Sequence, residues 1–348
     1  MGWVEVCRRC GRGWPLRAGR WRCECGGLFD LVGPASDPVS NPGGSWSMWR
    51  YRRSLPDAGT ELPWEKTTLG EGMTPLVELA PGVLAKMEQV SPTGSFKDRG
   101  AAVMVALAAG AGERTAVADS SGNAGKAVAV YAARAGLGAE IFVPAGTPEA
   151  KISVAKASGA TVVEVEGDRQ AVARAAISRV RGEGGWYASH VYQGSFVHGV
   201  KTMAFEIFEQ LGGRSPGAVV VPAGNGTLVQ GMWLGFSELS AFHGGPVPEL
   251  VAVQPEQFAA LAGRPPGGRP TVATGILIAE PARLGQVRAA LVGSSGRVVC
   301  ISDEAILAAQ EDLGHMGVVV EPTAAASWAG SRATGPLRQP VVVVLTGR

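Results

Sequence analysis

Lys97 ends a run of turn-forming and small residues, Ser91, Pro92, Thr93, Gly94, Ser95 and Phe96. Asp98, Arg99, Gly100 and the strong helix former Ala101 to Ala109 follow it. An amine at that junction sits near the positive end of a helix dipole, which disfavours its protonated form. A neutral amine is what a lysine needs to attack an aldehyde. A second stretch, Asp119, Ser120, Ser121, Gly122, Asn123, Ala124 and Gly125, brings two hydroxyls and an amide to the start of a helix, a nest suited to a carboxylate. A third, Pro222, Ala223, Gly224, Asn225, Gly226 and Thr227, follows an apolar run and precedes another helix. Its glycines let the backbone wrap a phosphate ester, and without a Gly-Lys-Ser/Thr signature a nucleoside triphosphate is not expected. Thr346 places a hydroxyl at the end of the apolar run Val341 to Leu345.

The elements that must position these groups read as strands and helices in alternation. Short apolar runs predict strands at Thr115–Ala118, Ala139–Val143, Ala160–Val165, Trp186–Ala188, Ala218–Val221, Glu249–Val253, Val298–Ile301 and Val341–Leu345. Helical patterns fill most of the intervals, with Ser302 as an N-cap. Apolar strands separated by helices argue for α/β domains with mostly parallel sheets, covered on both faces. Each nest then lies at the carboxyl end of a parallel strand, where open α/β sheets bind ligands.

A chain of 348 residues with 46% hydrophobic and 18% charged residues can bury two cores. The net charge of +2 gives no reason to expect nucleic acid or an anionic membrane as partner. No basic segment followed by an apolar one opens the chain and no run could span a bilayer, so a cytoplasmic protein is expected. Four of the five cysteines, Cys7, Cys10, Cys23 and Cys25, crowd into the first 25 residues. Their spacing suits a structural zinc with all four positions filled by protein, although Cys-x-Cys departs from the usual knuckle and leaves a degenerate ribbon with free thiols as the alternative. Cys300 reads as a core residue. Residues 34–65, rich in Pro, Gly, Ser and Trp, read as an extended arm packing through Trp46, Trp49, Tyr51 and Trp64.

Taken singly, each of these features has an ordinary reading as a surface lysine, a strand-to-helix turn or a chain end. Together they suggest pyridoxal phosphate, which needs a lysine for its aldehyde, a cup for its phosphate and a partner for its ring nitrogen. With Pro92 to Gly100, Ser120 to Asn123, Gly199 to Glu206, Pro222 to Thr227, Thr274 to Ile276, Val320 to Ala325, Leu345 to Gly347 and the cysteine ribbon, the chain resembles threonine synthase and its relatives among fold-type-II pyridoxal-phosphate enzymes.

The resemblance implies a ribbon-like segment at 1–33, the arm at 34–65, a large cofactor-binding domain at 66–97 and 196–348, and a small α/β domain at 98–195. Lys97 would hold the cofactor as a Schiff base and later move protons at the substrate's carbons. Phe96 would lie close to the cofactor ring and Asn123 would bond its phenolic oxygen. Gly224, Asn225, Gly226, Thr227 and Leu228 would cradle the phosphate, and Thr346 would face the pyridine nitrogen. Ser120, Ser121, Asn123, Ala124 and Lys201 would meet the amino-acid substrate. The activity implied is that of a lyase converting O-phosphohomoserine and water into L-threonine and phosphate, in a homodimer.

Two positions depart from the family's pattern. Ala124 stands where a Thr is usual and Phe196 where an Arg is usual, and both usual residues hold the substrate phosphate. Losing a bidentate guanidinium weakens a phosphate site, for which Lys126, Lys151, His198 or Lys201 could compensate. The alternative is β-elimination or β-replacement on another amino acid, as in cysteate synthases or serine and threonine dehydratases. A non-catalytic metabolite-binding protein has no need of Lys97, Asn123, the glycine loop and Thr346 together.

Overall fold

The computed structural model describes residues 2–40, 44–59 and 62–348. Three short strands open the chain: β1 (Val4–Cys7), β2 (Gly13–Pro15) and β3 (Phe29–Val32). A 3-10 segment (Met48–Ser54) precedes α1 (Trp64–Thr67), β4 (Leu76–Ala80) and β5 (Val83–Met87). Then come α2 (Lys97–Gly110), β6 (Thr115–Ala118), α3 (Asn123–Arg134), β7 (Gly138–Pro144) and α4 (Glu149–Ala157). The middle of the chain forms β8 (Thr161–Val165), α5 (Arg169–Glu183), β9 (Trp186–Tyr187), α6 (Gly194–Gln210), β10 (Ala218–Pro222) and α7 (Thr227–His243). It ends with β11 (Glu249–Pro255), α8 (Leu284–Gly293), β12 (Arg297–Ile301), α9 (Asp303–His315), α10 (Pro322–Ala333) and β13 (Val341–Leu345).

The chain divides into two compact units. One comprises residues 1–36, 52–71 and 97–199, the other 37–51, 72–96 and 200–348. The stretch 34–65 is thus shared between the units. In the second, Trp49 and Tyr51 are buried and Tyr51 stacks edge-on against Phe205, whereas Trp46 is 77% exposed and packs nothing away. Its flanking serines, Ser45 and Ser47, share a hydroxyl hydrogen bond of 2.8 Å.

The first unit contains a four-stranded parallel sheet in the order β8-β7-β6-β9 and a separate antiparallel ribbon in the order β2-β1-β3. Its helices α2 and α3 pack on each other. Helix α2 is buried almost all round, from Asp98 to Ala108, as its unbroken alanine and valine run requires.

The second unit is built on a six-stranded sheet, β12-β11-β10-β13-β5-β4, parallel except for the edge strand β4. Strands β10 and β13 are buried at every residue, the pattern of a parallel sheet covered on both faces. Helix α10 covers one face, with Ala324, Ala325, Ala326 and Trp328 packed over Val220, Val253 and Val343. Cys300 lies on the outermost strand and is half-buried, so it is an edge residue and not a core one. Both units have the mostly parallel α/β architecture read from the sequence.

Candidate active site

Lys97 is the first residue of α2, and its half-buried side chain belongs to the first unit. Its Nζ lies 5.5 Å from the centroid of Phe196, in the first turn of α6. Phe196 is fully buried, flanked by the ring of His190 at 5.7 Å. It can sit there because position 100 has no side chain: a Cβ on Gly100 would come within 2.5 Å of the ring's Cγ and Cε2. An apolar ring therefore stands beside the lysine, at the position where the resemblance led to the expectation of a guanidinium.

The first nest follows β6. Asn123 is the first residue of α3 and Gly122 its N-cap, with no capping side chain on the first-turn N–H groups. Ser120 Oγ accepts from the Gly122 N–H at 3.4 Å. Ser120, Ser121 and Asn123 remain half-buried while Ala124 is buried, so the nest presents hydroxyls and an amide at the start of α3 over an apolar floor. By contrast α5 and α9 are capped in the ordinary way by Asp168 and Ser302. Asp119, just before the nest, has its carboxyl pKa raised by burial, opposed in part by the Arg169 guanidinium and by Tyr187.

The second unit holds the other group of residues. Gly224, Asn225 and Gly226 connect β10 to α7, which begins at Thr227 and continues with the buried Leu228. Gly226 is the N-cap at φ 84°, a left-handed conformation that glycine adopts without strain, and no side chain caps the helix. A Cβ on Gly224 would lie 3.1 Å from the Ile276 Cα, so the loop is drawn tight against the 274–276 segment. Strand β13 is the neighbour of β10, with Val220 opposite Val343, so Thr346 and the glycine loop lie at the carboxyl ends of adjacent parallel strands. The Phe96 N–H donates to the Thr346 carbonyl at 3.0 Å, and Ser95 bridges to Gly347.

Two hydroxyls there, Thr346 Oγ1 and Ser95 Oγ, are buried with no hydrogen-bond partner among the described residues. A buried hydroxyl in that state costs about 1–3 kcal/mol. Ser95 was not singled out from the sequence, although it sits in the lysine motif. Its only signal is its place two residues before Lys97.

Lys201, expected at the substrate, is committed elsewhere. It is 1% exposed and its Nζ contacts Glu238 at 2.8 Å. Burial lowers its pKa and raises that of Glu238, and each opposes the other's shift. This is a structural ion pair, invisible in sequence because the carboxylate comes from α7. Of the other cations considered, His198 packs edge-on against Trp3 and Lys151 is exposed on α4. Lys126 lies three residues after Asn123, on the same side of the first turn of α3.

The four cysteines of the ribbon come together. Their Sγ atoms all lie within 4.8 Å of one another. A surface hollow lined by Pro15, Arg17, Arg20, Gly110 and Glu113 contains none of the residues above. Helix α2 is 14 residues long, which puts that hollow about 20 Å from Lys97.

Residues 67–347 match the family model of pyridoxal-phosphate dependent enzymes. The chain belongs to this family. It is 36% identical to a threonine synthase of Halalkalibacterium halodurans over 329 residues, covering 86% of this chain and 89% of the relative. A threonine synthase of Methanosarcina acetivorans is 32% identical over 354 residues, covering 94% and 85% respectively. Among solved structures, an L-serine ammonia-lyase from Rhizomucor miehei superposes with a TM-score of 0.69 at 25% identity, covering 79% of this chain and 93% of that one.

The family's cofactor suits the groups present. The unpartnered Thr346 hydroxyl would suit a ring nitrogen as a neutral partner, and the tightly held glycine loop before a helix with no side-chain cap would suit a phosphate. Among the described residues no helix is long and apolar enough to cross a membrane.

Proposed function

We propose that this enzyme is a lyase of the threonine-synthase type, converting O-phosphohomoserine and water into L-threonine and phosphate. The observation that carries the reading is the similarity to threonine synthases along 86% to 94% of the chain.

When bound, pyridoxal phosphate supplies an electron sink that acidifies the protons next to the substrate's amino-bearing carbon. Lys97 would hold the cofactor, and its amine would take and return protons at the substrate's Cα and Cβ. Its place at the start of α2 favours the neutral amine this requires. Gly224, Asn225, Gly226 and Thr227 would hold the cofactor phosphate with their N–H groups, and Phe96 and Asn123 would border the ring. Thr346, whose buried hydroxyl has no partner among the described residues, would meet the ring nitrogen without charge, which would disfavour transamination and favour elimination. Ser120, Ser121 and the first-turn N–H groups of α3 hold the substrate carboxylate. With Lys201 paired to Glu238, Lys126 is the cation best placed to meet a substrate phosphate.

One observation favours a second reading. Phe196 lies 5.5 Å from the Lys97 amine, fully buried, where a phosphate-binding guanidinium would otherwise stand. An apolar ring there suits β-elimination from an unphosphorylated hydroxy-amino acid.

The test is to incubate the loaded enzyme separately with O-phosphohomoserine and with L-serine or L-threonine. Release of phosphate together with threonine supports the proposal. Ammonia and a 2-keto acid from serine or threonine, with O-phosphohomoserine untouched, would replace it by the second reading.

A further inference from the structure

The ribbon of residues 2–33 has three strands of four, three and four residues, too few to bury a core. Its interior consists of Cys7, Cys23 and Phe29, with Trp14 and Cys25 against them. The sulfurs of Cys7 and Cys25 are 3.5 Å apart and those of Cys10 and Cys23 3.7 Å, and all the cysteines are free. Four thiolates around a tetrahedral zinc at about 2.3 Å stand about 3.8 Å from one another. The cluster therefore has the dimensions of a four-thiolate ion site, reached from β1 and two turns whose other links are peripheral, an Arg9 hydrogen bond to the Cys25 carbonyl and an exposed Arg12–Glu24 ion pair.

The ribbon also reaches one particular segment of its own unit. Trp21 stacks edge-on against Tyr187 at 4.9 Å and Tyr192 at 5.4 Å. The Gln193 amide donates to the Ala18 carbonyl at 3.2 Å. Leu31 lies so close to Gly194 that a Cβ there would come within 2.8 Å of its Cγ. Trp3 meets the ring of His198 at 4.9 Å. These contacts bracket Phe196, the ring that stands beside Lys97.

We propose that Cys7, Cys10, Cys23 and Cys25 bind one Zn²⁺ ion, and that the ion, by holding the ribbon together, positions residues 187–198 beside Lys97. The ion is structural, since four protein ligands leave no place for a substrate. Trp21 is a positioning residue that acts through Tyr187 and Tyr192. The zinc assignment is independent of the reaction proposed above, and its positioning role rests on that proposal only in taking Lys97 as the reacting lysine.

The full chain, loaded with pyridoxal phosphate and purified with zinc in the medium, is dialysed and assayed for metals. One equivalent of zinc per chain is expected, lost in a Cys7→Ser/Cys25→Ser variant. Exchange with Co²⁺ should give the intense visible bands of tetrahedral thiolate coordination, a readout that needs no variant to fold. Absence of bound transition metal, or zinc retained by the double variant, overturns the site.

For the positioning role, amide exchange is followed with and without a chelator and in Trp21→Ala, which keeps all four ligands. Exchange in 187–198 should rise at least tenfold in both cases while β7 is unchanged, with zinc retained in Trp21→Ala. Unchanged exchange in 187–198, or an increase spread evenly over β6 and β7, overturns it.

Discussion

Gly100→Ala would place a methyl carbon 2.5 Å from Phe196 Cγ and Cε2, where carbon atoms rest at about 3.5–4.0 Å. The ring must retreat by about 1 Å, yet it is fully buried with His190 on another side. Overpacking of this kind costs about 1–3 kcal/mol. Replacing a helical glycine by alanine returns about 1 kcal/mol, so a net loss of about 0–2 kcal/mol is expected. In a Phe196→Ala background, itself about 3–5 kcal/mol less stable, the clash is gone and the same substitution should stabilise by about 1 kcal/mol. The coupling between the two positions is then about 1–3 kcal/mol, the double variant being more stable than the sum of the single effects. Urea denaturation of the four proteins, read through the first unit's tryptophans, measures it. A stabilising Gly100→Ala in the parent chain, or effects additive within about 0.5 kcal/mol, would refute the packing of Phe196 against α2 and with it the placement of the ring beside Lys97.

Lys201→Met should lower stability by about 3 kcal/mol by leaving Glu238 without its partner, with substrate KM unchanged; a raised KM with normal stability would return Lys201 to the substrate site. Thr346→Val removes a buried hydroxyl that lacks a partner, so the cofactor-free protein should gain about 1 kcal/mol while cofactor affinity falls, as calorimetry and spectral titration would read. Because burial raises the Asp119 pKa above its ordinary 3.8, the folded state favours the neutral acid. Its contribution is fully present below that ordinary value and is lost as pH rises through the raised one. The parent Tm should therefore fall relative to Asp119→Asn as pH increases above about 4, and a constant difference across pH would show that the carboxyl is not desolvated.

Much of this arrangement is local and could be read from the chain. Strands β6 and β13 begin and end where the apolar runs do, and α2 begins at Lys97, because Gly94 and Ser95 stop one element and the alanine run starts the next. Ser302 caps α9 as its spacing with Ala305 requires. What escaped depended on partners distant in sequence. The role of Lys201 was set by Glu238, 37 residues away, and that of Trp21 by Tyr187 and Tyr192. Helix α10 was hidden by its alanine, serine and glycine content, which gives no clear apolar stripe, although Pro322 at its first position marks the start. Trp46 shows the opposite error, since a large apolar residue in a proline- and glycine-rich stretch need not be buried.

The proposed chemistry depends on one amine, that of Lys97. Borohydride reduction of the enzyme loaded with pyridoxal phosphate, followed by digestion and peptide mass spectrometry, identifies which lysine the cofactor occupies. A single modified site at Lys97, absent in Lys97→Ala, is the expected result. Modification of another lysine in its place, or none in a protein that retains its fold, would contradict it.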